Sequence, residues 1–566
     1  MSAASSRSAR PRALAIVSAA IFATLVLAQG ISAPFQKDAE PQSAEWMQSV
    51  ARGHLLAPRD YYGFLTQKPL LFYWLGAGLT DLTGGGVNEV RSRAVAVASA
   101  VALSVIVLVW TSVNVGPIEG WLAFVFLLGT YGFAARAPLA LTDMTLTMFV
   151  VATLVALYPI VSGVAGERDR RRAIVWALAM MFLGVLTKGP VAIVLPAIAV
   201  AIYLLLERRN PLEMLAERWV WSVAIPVIAL SIAWYAIWFA FGDPRFRHTF
   251  MTENFGHFLP VAAGGTGEGG RPPWFILARL TGGAMPLVLL VPAAIAMLAR
   301  GEIEESKRGP ILYQASLALA TIIFFSIASA KRDDYILPAL PGIAILSASA
   351  FGATASEQGI GARLRSIATM IIAVAMLAGV ALAIVAKAGN LAPKLNLNSS
   401  DAELLGVLLG RTGFKSTAFA MMIAACSIVV LIAARRGQAT IAGISLGVLS
   451  LCASLLFTAV VRPDLAVRRS VYDFAPQIRA KVGDGRLCIV DGINYELSFY
   501  YGEAVPDLKR SGCASGPVST PAYLFAYEKE YEVLPTDLRA RLKPVLQSKL
   551  IGGPGPPALY EIAPSR

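Results

Sequence analysis

Apolar segments long enough to cross a membrane recur along most of this chain, from Leu14 to Val460. A helix needs roughly 20 predominantly apolar residues to cross a hydrocarbon core that is ~30 Å thick. Of the 566 residues, 56% are hydrophobic and only 15% are charged, a composition that is not typical of a soluble globular protein of this size. The sequence therefore predicts a polytopic α-helical membrane protein.

Hydropathy predicts about thirteen spanning helices. The predicted segments are 13–33, 92–110, 119–135, 144–162, 173–187, 190–206, 219–241, 277–299, 311–330, 335–353, 366–387, 413–434 and 440–460. The tetrapeptide Thr187-Lys188-Gly189-Pro190 leaves almost no loop between the fifth and sixth segments. They are kept separate because merging them would move every later arginine cluster to the opposite side of the membrane.

Arginine clusters in alternate loops set the predicted orientation. They lie at 168–172, 208–209, 300–308, 363–365 and 435–436. The positive-inside rule places these loops and the N-terminus in the cytoplasm. The basic N-terminus would also fit a signal peptide, but segment 13–33 is longer than a usual signal core and is interpreted as an uncleaved anchor. We therefore expect a multi-pass membrane protein with its larger loops outside the cytoplasm.

Two regions follow from this topology. Residues 1–460 form the predicted membrane domain, with a first outer loop at 34–91 and a large outer loop at 242–276. Residues 461–566 have a mixed composition and predict a soluble α/β domain on the periplasmic side. Strands are expected at 486–490, 497–501, 522–526 and 558–562, and helices near 472–482 and 535–548. Cys488 and Cys513 could pair in this oxidising compartment.

The first outer loop combines acids at its start with a lysine and tyrosines at its end. Asp38 and Glu40 follow the first apolar segment, and Tyr61, Tyr62 and Lys68 precede the next helix. A carboxylate can take the proton of an attacking hydroxyl, and cations can stabilise a departing phosphate. These residue types therefore indicate a catalytic loop for group transfer.

More ionisable residues lie at predicted outer helix ends, where basic residues are disfavoured. The set consists of Arg136, Asp143, Lys188, Lys331, Arg332, Asp333 and Asp334, with Tyr335 beside it, and Glu253, His257 and Arg271 in the large outer loop. Snorkelling or mutual ion pairing is the alternative for any single residue. For the whole set we favour a site shared with the first loop.

These residues resemble the GT-C glycosyltransferases, specifically the family of aminoarabinose lipid A transferase and bacterial relatives of protein O-mannosyltransferases. The resemblance reaches from the N-terminus to about residue 350 and rests on Asp38-Ala39-Glu40, Lys68-Pro69-Leu70, Arg136…Thr142-Asp143, Leu186-Thr187-Lys188-Gly189-Pro190 and Lys331-Arg332…Tyr335. The family commonly has adjacent Asp-Glu and Lys-Pro-Pro at the first two of these motifs. The departure leaves both Asp38 and Glu40 as candidates for the base.

The resemblance implies an inverting transfer of sugar from a polyprenyl phosphate, at an active site on the periplasmic face of a bacterial inner (cytoplasmic) membrane. The acceptor would be a hydroxyl or phosphate of lipid A, another glycolipid, a cell-wall glycan or a protein. Asp38 is the first candidate base and Glu40 the second. The implied phosphate ligands are Lys68, Arg136, Lys188, Arg271, Lys331, Arg332, Tyr61, Tyr62 and Tyr335, while Asp143, Glu253 and His257 would orient sugar or acceptor.

Other interpretations stay open at this point. No cofactor is expected, although His54, His257 and Glu40 are alternative ligands for a divalent metal. A transporter or flippase for a lipid-linked or anionic substrate is the rival function, and its charges should line a path near mid-membrane. The net charge of +13 is accounted for by the inner loops, so membrane lipids and not nucleic acid are the expected partners of a monomer.

Overall fold

The computed structural model describes residues 2–35, 39–66, 68–241, 271–352, 355–388, 414–508, 521–548, 550 and 555–563. Within these ranges the chain is a helical bundle followed by a small α/β unit. The helices of the first half are α1 Ser2–Leu27, α2 Ala39–Ala51, α3 Leu71–Thr83, α4 Glu89–Asn114, α5 Pro117–Gly129, α6 Tyr131–Ala134, α7 Thr142–Val161, α8 Glu167–Lys188, α9 Val191–Leu206 and α10 Arg218–Phe241.

The bundle continues with α11 Phe275–Gly283, α12 Val291–Ala299, α13 Glu305–Ile327, α14 Ala339–Ser349, α15 Ile360–Ala388, α16 Phe414–Arg435 and α17 Ala439–Leu456. Among the described residues, seven helices are long and apolar enough to cross a membrane, or eight if the bent pair α11 and α12 is one span. The predicted polytopic helical class is therefore confirmed. The finer count of about thirteen spans stays a prediction.

The predicted continuous helix 277–299 is wrong. The chain forms α11, a 3-10 turn at Leu287–Leu290 and α12, and the two helices are bent by 102° relative to each other. Gly282 and Gly283 are poor helix formers, and Pro286 lacks the N–H that a continuing helix would need. Composition shows that this segment is apolar, but its glycines and prolines interrupt the helical hydrogen bonds.

Helices α8 and α9 are separate, as predicted. Helix α8 ends at Lys188, Gly189 has φ 86°, and α9 begins at Val191. A left-handed residue after the last helical turn is a common helix terminator, and glycine adopts it without a steric cost. The turn holds Lys188 at the same end of the bundle as the first turn of α7.

A C-terminal unit begins at Arg462 and contains α18 Arg462–Arg469, α19 Ala475–Val482, α20 Tyr495–Tyr501, α21 Glu528–Glu532 and α22 Thr536–Arg539. Its strands are β1 Arg486–Ile489, β2 Ala522–Tyr527, β3 Leu542–Gln547 and β4 Pro557–Ile562. The sheet order is β1-β2-β4-β3, with β1 parallel to β2 and the other pairs antiparallel. Phe474, Ile478, Leu487, Phe525 and Leu559 form its apolar core.

Two secondary-structure predictions in this unit are wrong. Segment 497–501 is part of α20, because the Asn494 side chain accepts a hydrogen bond from Leu497 N–H and Gly502 ends the helix at φ 96°. The predicted helix 535–548 is only the short α22, followed by β3. Strand β3 pairs along β4, so tertiary pairing overrides the local pattern there.

The C-terminal unit packs on the first outer loop through α20. The Tyr500 hydroxyl donates to Glu89 Oε1 at 2.7 Å and accepts from Phe35 N–H at 3.0 Å. The Phe35 and Phe499 rings meet edge to face at 5.1 Å. These contacts join the end of the chain to the loop that carries the candidate acids.

The cysteines divide between the two regions. Cys426 and Cys452 are free thiols in the bundle, and Cys488 is buried in β1. Cys513 lies outside the described residues. The predicted pairing of Cys488 with Cys513 therefore stays a prediction.

Candidate functional site

An ion pair between Asp143 and Lys188 joins the ends of two adjacent helices. Asp143 lies in the first turn of α7, and Lys188 is the last residue of α8. Their side chains are 16% and 12% exposed and form a direct salt bridge. An acid at a helix N-terminus and a base at a C-terminus both complement the helix dipoles. The pair is therefore stabilised locally while it keeps some access to solvent.

Further cations and an aromatic ring surround this pair. The Lys188 ammonium lies 4.9 Å from the centre of the Tyr335 ring, which stacks on Phe325 at 4.4 Å. Arg332 and Lys68 lie close enough for their charges to act on the Asp143 carboxylate. We call Lys68, Asp143, Lys188, Arg332 and Tyr335 the outer cation site. The structure thus brings together five of the residues that the sequence selected.

Lys331 belongs to the same turn as Arg332, but its ammonium serves the backbone. It is 7% exposed and donates to the Ala328 carbonyl oxygen at 2.6 Å. Burial lowers the pKa of Lys331, because removal from water disfavours the charged form. The contact fixes the end of α13 next to the outer cation site.

Arg136 and Arg271 lie on neighbouring elements and bind acids of the 3-10 turn Asp333–Ile336. Arg136 Nε is 3.1 Å from Asp334 Oδ1, and Arg271 Nη1 is 3.4 Å from Asp333 Oδ1. Arg279 also reaches Asp333 Oδ1, at 3.0 Å. Arg279 was not among the predicted site residues, although an arginine at the predicted outer end of segment 277–299 departs from the positive-inside pattern and was a usable signal.

Glu40, the second candidate base, is a fully buried partner of Arg93. Arg93 Nε and Nη2 donate to its two oxygens at 2.8 and 3.2 Å, and Ala140 N–H donates to Oε1 at 3.1 Å. Burial by itself would raise the pKa of Glu40, but the Arg93 charge and hydrogen bonds outweigh it and the pKa is lowered. The carboxylate is therefore held ionised and enclosed, which suits a structural anchor better than a base.

Arg93 was not among the predicted site residues. It is fully buried in α4 and also donates to the carbonyl oxygens of Ile31, Ala33 and Pro34. One side chain thus ties the end of the first apolar segment, α2 and the approach to α7 together. The run Arg91-Ser92-Arg93 at the outer end of segment 92–110 was the available signal.

Tyr61 and Tyr62 are not donors to the outer cation site. Tyr61 Oη donates to Gln48 Oε1 at 2.7 Å. Tyr62 Oη lies 2.6 Å from Ser498 Oγ and donates to the Val505 carbonyl oxygen at 3.0 Å. Both phenols instead hold the first outer loop, one against α2 and the other against the C-terminal unit.

A second buried acid of the loop, Glu45, was also missed. Its Oε2 accepts from Tyr61 N–H at 3.0 Å, while its Oε1 is buried without a hydrogen-bond partner among the described residues. Burial, with a smaller contribution from the Asp60 charge, raises the pKa of Glu45 from 4.5 to about 8. Asp60 accepts from Gln42, which also donates to Tyr495 Oη, so this polar cluster spans the contact between loop and C-terminal unit.

Three predicted site residues lie outside the described residues: Asp38, Glu253 and His257. His54 is exposed in the turn after α2. Among the residues that are described, no three His, Cys, Asp or Glu side chains form a group that could hold a metal ion. Glu40 is occupied by Arg93, so the metal alternative finds no support from this ligand.

An apolar groove lies among α11, α12, α13 and α14. Its volume is about 470 Å³, and its lining includes Leu280 and Thr281 of α11, Leu312 and Leu319 of α13, and Ile343 of α14. The contact from Arg279 of α11 to Asp333 connects the outer end of this groove with the turn that carries Arg332. A hydrocarbon chain could lie in the groove with its polar end at the cations.

Comparisons with known proteins find similarity in sequence over part of the chain. Residues 53–243 match the family described as dolichyl-phosphate-mannose-protein mannosyltransferase. The chain is 27% identical, over 52% of its length and 50% of the relative, to undecaprenyl phosphate-alpha-4-amino-4-deoxy-L-arabinose arabinosyl transferase 1 of Pseudomonas fluorescens. The corresponding transferase of Pseudomonas aeruginosa is 29% identical over 50% of the chain and 49% of that protein. The chain thus spans about half the length of the curated relatives it matches.

The likeness of fold extends further than the likeness of sequence. The crystal structure of ArnT from Cupriavidus metallidurans bound to undecaprenyl phosphate has a TM-score of 0.72 to this chain at 19% identity, covering 98% of this chain and 99% of that one. The apo form of the same protein gives a TM-score of 0.72 at 20% identity, covering 99% and 100% of the two chains. The chain therefore shares its fold with this crystal structure, and its similarity in sequence to the mannosyltransferase family covers residues 53–243.

Proposed function

We propose that this protein is an inverting glycosyltransferase that moves a sugar from a polyprenyl phosphate to a hydroxyl or phosphate of an acceptor. The observation that carries the proposal is the convergence of Lys68, Lys188 and Arg332 on Asp143. A polyprenyl phosphate carries negative charge on its leaving group, and this charge grows as the sugar departs. Cations that are already positioned there lower the barrier without reorganising.

The four basic and aromatic members of the outer cation site have complementary roles in this proposal. Arg332 can bind two phosphate oxygens through its planar guanidinium, whereas Lys68 and Lys188 act as point charges. Tyr335 supplies a ring for Lys188 and a hydroxyl that can donate to the phosphate. Asp143 holds Lys188 until a phosphate arrives, and its carboxylate can then bind sugar hydroxyls.

The prenyl tail would lie in the apolar groove of α11, α13 and α14. Its lining is aliphatic apart from Thr281, Arg308 and Ser316. Arg279, next to the lining residue Leu280, pairs with Asp333 beside Arg332. Transfer of each buried CH₂ from water is favourable by ~0.8 kcal/mol, so a long tail retains the donor even when the headgroup contacts are modest. Groove and cations together select an amphipathic phosphate.

Asp38 remains the proposed base, on the sequence grounds given above. In the reaction the acceptor oxygen attacks the anomeric carbon as its proton passes to the base, and the bond from that carbon to the phosphate oxygen breaks. The polyprenyl phosphate leaves with the bonding electrons, and the configuration inverts. Glu40 acts as a positioning residue, because its contacts with Arg93 and Ala140 N–H fix the loop on which Asp38 lies.

The names of the relatives suggest the donor. We infer an undecaprenyl-phosphate-linked amino sugar as donor and a glycolipid such as lipid A as the first acceptor to test. The finer topology is part of the same proposal: about thirteen spans, a catalytic face in the periplasm of a bacterial inner membrane, and a soluble domain at 461–566 on that side. The transporter alternative is less well supported, because the ion pairs described above lie at helix ends.

The direct test is sugar transfer by the full-length protein in proteoliposomes. Donor is undecaprenyl-phosphate aminoarabinose, acceptor is lipid A, and mass spectrometry detects the product. Asp38→Asn should slow turnover by ~10²–10⁴-fold while donor binding is retained. Lys68→Ala should instead weaken donor binding, because its charge also meets the phosphate before reaction.

Arg172→Ala is the matched control, since Arg172 is an exposed inner-loop residue that pairs only loosely, at 3.7 Å, with Asp169. It should leave transfer unchanged. Glu40→Gln should reduce the amount of folded protein more than the rate per folded molecule. Normal transfer by both Asp38→Asn and Lys68→Ala would refute the proposed site.

A further inference from the structure

A second polar cavity lies at the opposite end of the bundle from the outer cation site. Helix α7 ends at Val161 and α8 begins at Glu167, while α9 ends at Leu206 and α10 begins at Arg218. These four ends enclose a cavity of about 620 Å³. Because Asp143 and Lys188 occupy the other ends of α7 and α8, this cavity faces the inner side of the membrane under the proposed topology. We call it the inner cavity.

Three arginines and two glutamates line the inner cavity. Arg170 Nη2 is 3.2 Å from Glu217 Oε2, and Arg209 Nη1 donates to the Val161 carbonyl oxygen at 2.7 Å. Glu213 and Arg208 complete the charged lining. Arginines outnumber carboxylates, so the cavity has an excess positive charge and attracts an anion.

Arg208 is held in an unusual conformation at this position. Its φ is 56°, which a residue with a side chain rarely adopts. Within the described part of the chain, no hydrogen bond or ion pair engages its guanidinium. Glycine or asparagine would fit this backbone with less strain, so the chain keeps an arginine here at a conformational cost. Such a cost is expected where the side chain serves a function.

The surroundings of the inner cavity are apolar. Leu212 is 70% exposed and Leu205 is 61% exposed, and Leu215 and Trp221 beside them are also exposed. The Trp221 indole N–H donates to the Leu215 carbonyl oxygen at 2.7 Å, which fixes the ring at the level of the helix ends. Tryptophan at this level is typical of the membrane interface. A ligand of the cavity would therefore meet cations inside and hydrocarbon-compatible side chains at the rim.

We propose that the inner cavity binds the headgroup phosphate of an anionic phospholipid from the inner leaflet. The guanidinium groups of Arg208 and Arg209 can bind phosphate oxygens, and the acyl chains can lie against Leu205 and Leu212. A soluble anion would gain nothing from these exposed leucines. The site is separate from donor binding and does not depend on the proposed transfer reaction.

The test uses the full-length protein in lipid-free detergent, titrated with phosphatidylglycerol and followed by native mass spectrometry. Phosphatidylcholine and glycerol 1-phosphate serve as zwitterionic and soluble probes. Arg208→Gly should weaken phosphatidylglycerol binding about fivefold, the effect of one arginine near an anionic headgroup. Its thermal unfolding temperature without lipid should not fall, because glycine relieves the left-handed backbone.

Arg208→Lys keeps the charge and should retain most of the binding. Arg172→Gln is the matched control, because Arg172 is also an inner-loop arginine of α8 but does not line the cavity, and it should bind as the unsubstituted protein does. Unchanged phosphatidylglycerol affinity in Arg208→Gly would overturn the proposal. So would equal affinity for phosphatidylcholine, or equal affinity for glycerol 1-phosphate, which would identify the ligand as a soluble anion.

Discussion

Glu40 and Asp143 are both acids held by a base, but their surroundings give them different capacities. Glu40 and Arg93 have fully buried side chains, so neither can exchange its partner for a ligand without leaving a charge unpaired. The Asp143 and Lys188 side chains are 16% and 12% exposed, and Lys188 also contacts Tyr335. At the residue scale, enclosure thus separates a pair that holds the fold from a pair that can meet a substrate.

This difference predicts the effect of removing Arg93. Arg93→Ala should leave Glu40 as a buried unpaired charge and release the three carbonyl oxygens that Arg93 binds. The loss of one partner of a buried pair costs ~3–5 kcal/mol, so the unfolding temperature of the purified protein should fall sharply. Arg172→Ala, at an exposed site, should change the free energy of unfolding by less than ~0.5 kcal/mol and leave the unfolding temperature nearly unchanged. Equal unfolding temperatures for both variants would contradict the structural role of Arg93.

Glu45 gives a prediction about pH. Its pKa is raised from 4.5 to about 8 in the folded protein, so between these values the folded state keeps a proton that the unfolded state has lost. The free energy of unfolding should therefore fall as pH rises through this window, and the loss should be complete above about pH 8. Thermal unfolding measured across this pH range tests it.

Glu45→Gln should flatten this part of the pH profile, because glutamine does not titrate. Glu167→Gln is the control, since Glu167 is 81% exposed and pairs with Arg171 at the surface. It should leave the slope unchanged. An identical slope in wild type and Glu45→Gln would show that another group is responsible.

At the scale of elements, α20 shows how end residues determine whether a short segment forms a helix or a strand. Its residues, Tyr495–Tyr501, are largely aromatic and suit a strand by propensity, yet an Asn at its start and a Gly at its end make it a helix. As a helix it directs Tyr500 towards Phe35 and Glu89, and Ser498 towards Tyr62. The caps therefore determine how the C-terminal unit contacts the first outer loop.

Gly502 tests the importance of these caps. It has φ 96°, and an added Cβ would lie 2.7 Å from Arg479 Nη1. Gly502→Ala should destabilise the protein by ~1–2 kcal/mol, because alanine is strained in this conformation. Gly78→Ala provides the opposite sign: Gly78 lies within α3 with no atom within 4 Å of an added Cβ, so alanine should stabilise by up to ~1 kcal/mol. Differential scanning calorimetry of both variants measures the change in unfolding temperature. A change of the same sign in both would contradict this explanation.

The whole molecule is polar at both ends of its bundle and apolar between them. The outer cation site, the Arg93 pair and the contacts with the C-terminal unit gather at one end. The arginines of the inner cavity lie at the other. Under the proposed topology, the C-terminal unit and the turn between α7 and α8 face opposite compartments.

Reporter fusions test this orientation. Alkaline phosphatase is active only outside the cytoplasm, so a fusion after Gly485 should be active and a fusion after Arg170 should not. A green fluorescent protein fused at the same two sites should give the reciprocal pattern. Phosphatase activity of the fusion at Arg170 would reverse the membrane side assigned to each end of the bundle. The outer cation site and the inner cavity would then exchange sides.

Much of the bundle could be predicted from the sequence. A helix in lipid satisfies its own backbone hydrogen bonds, so a long apolar segment is enough to identify it. The same argument identified Arg136, Asp143, Lys188 and Arg332, since charges at outer helix ends are conspicuous. The glycines and prolines between α11 and α12 indicate a break, but a hydropathy value averaged over the whole segment does not reveal it.

What the sequence by itself determined was the helical membrane class, the side on which the loops are expected, and the residue types of the site. Only the tertiary structure decided which charges pair: Lys188 with Asp143, Arg93 with Glu40, and Arg136 with Asp334. It also moved Tyr61 and Tyr62 from the expected phosphate site to the loop contacts. The physical reason is that these ion pairs join groups that are far apart in the chain. The packing of the helices selects each partner and sets its exposure to water, and no local sequence pattern encodes that packing.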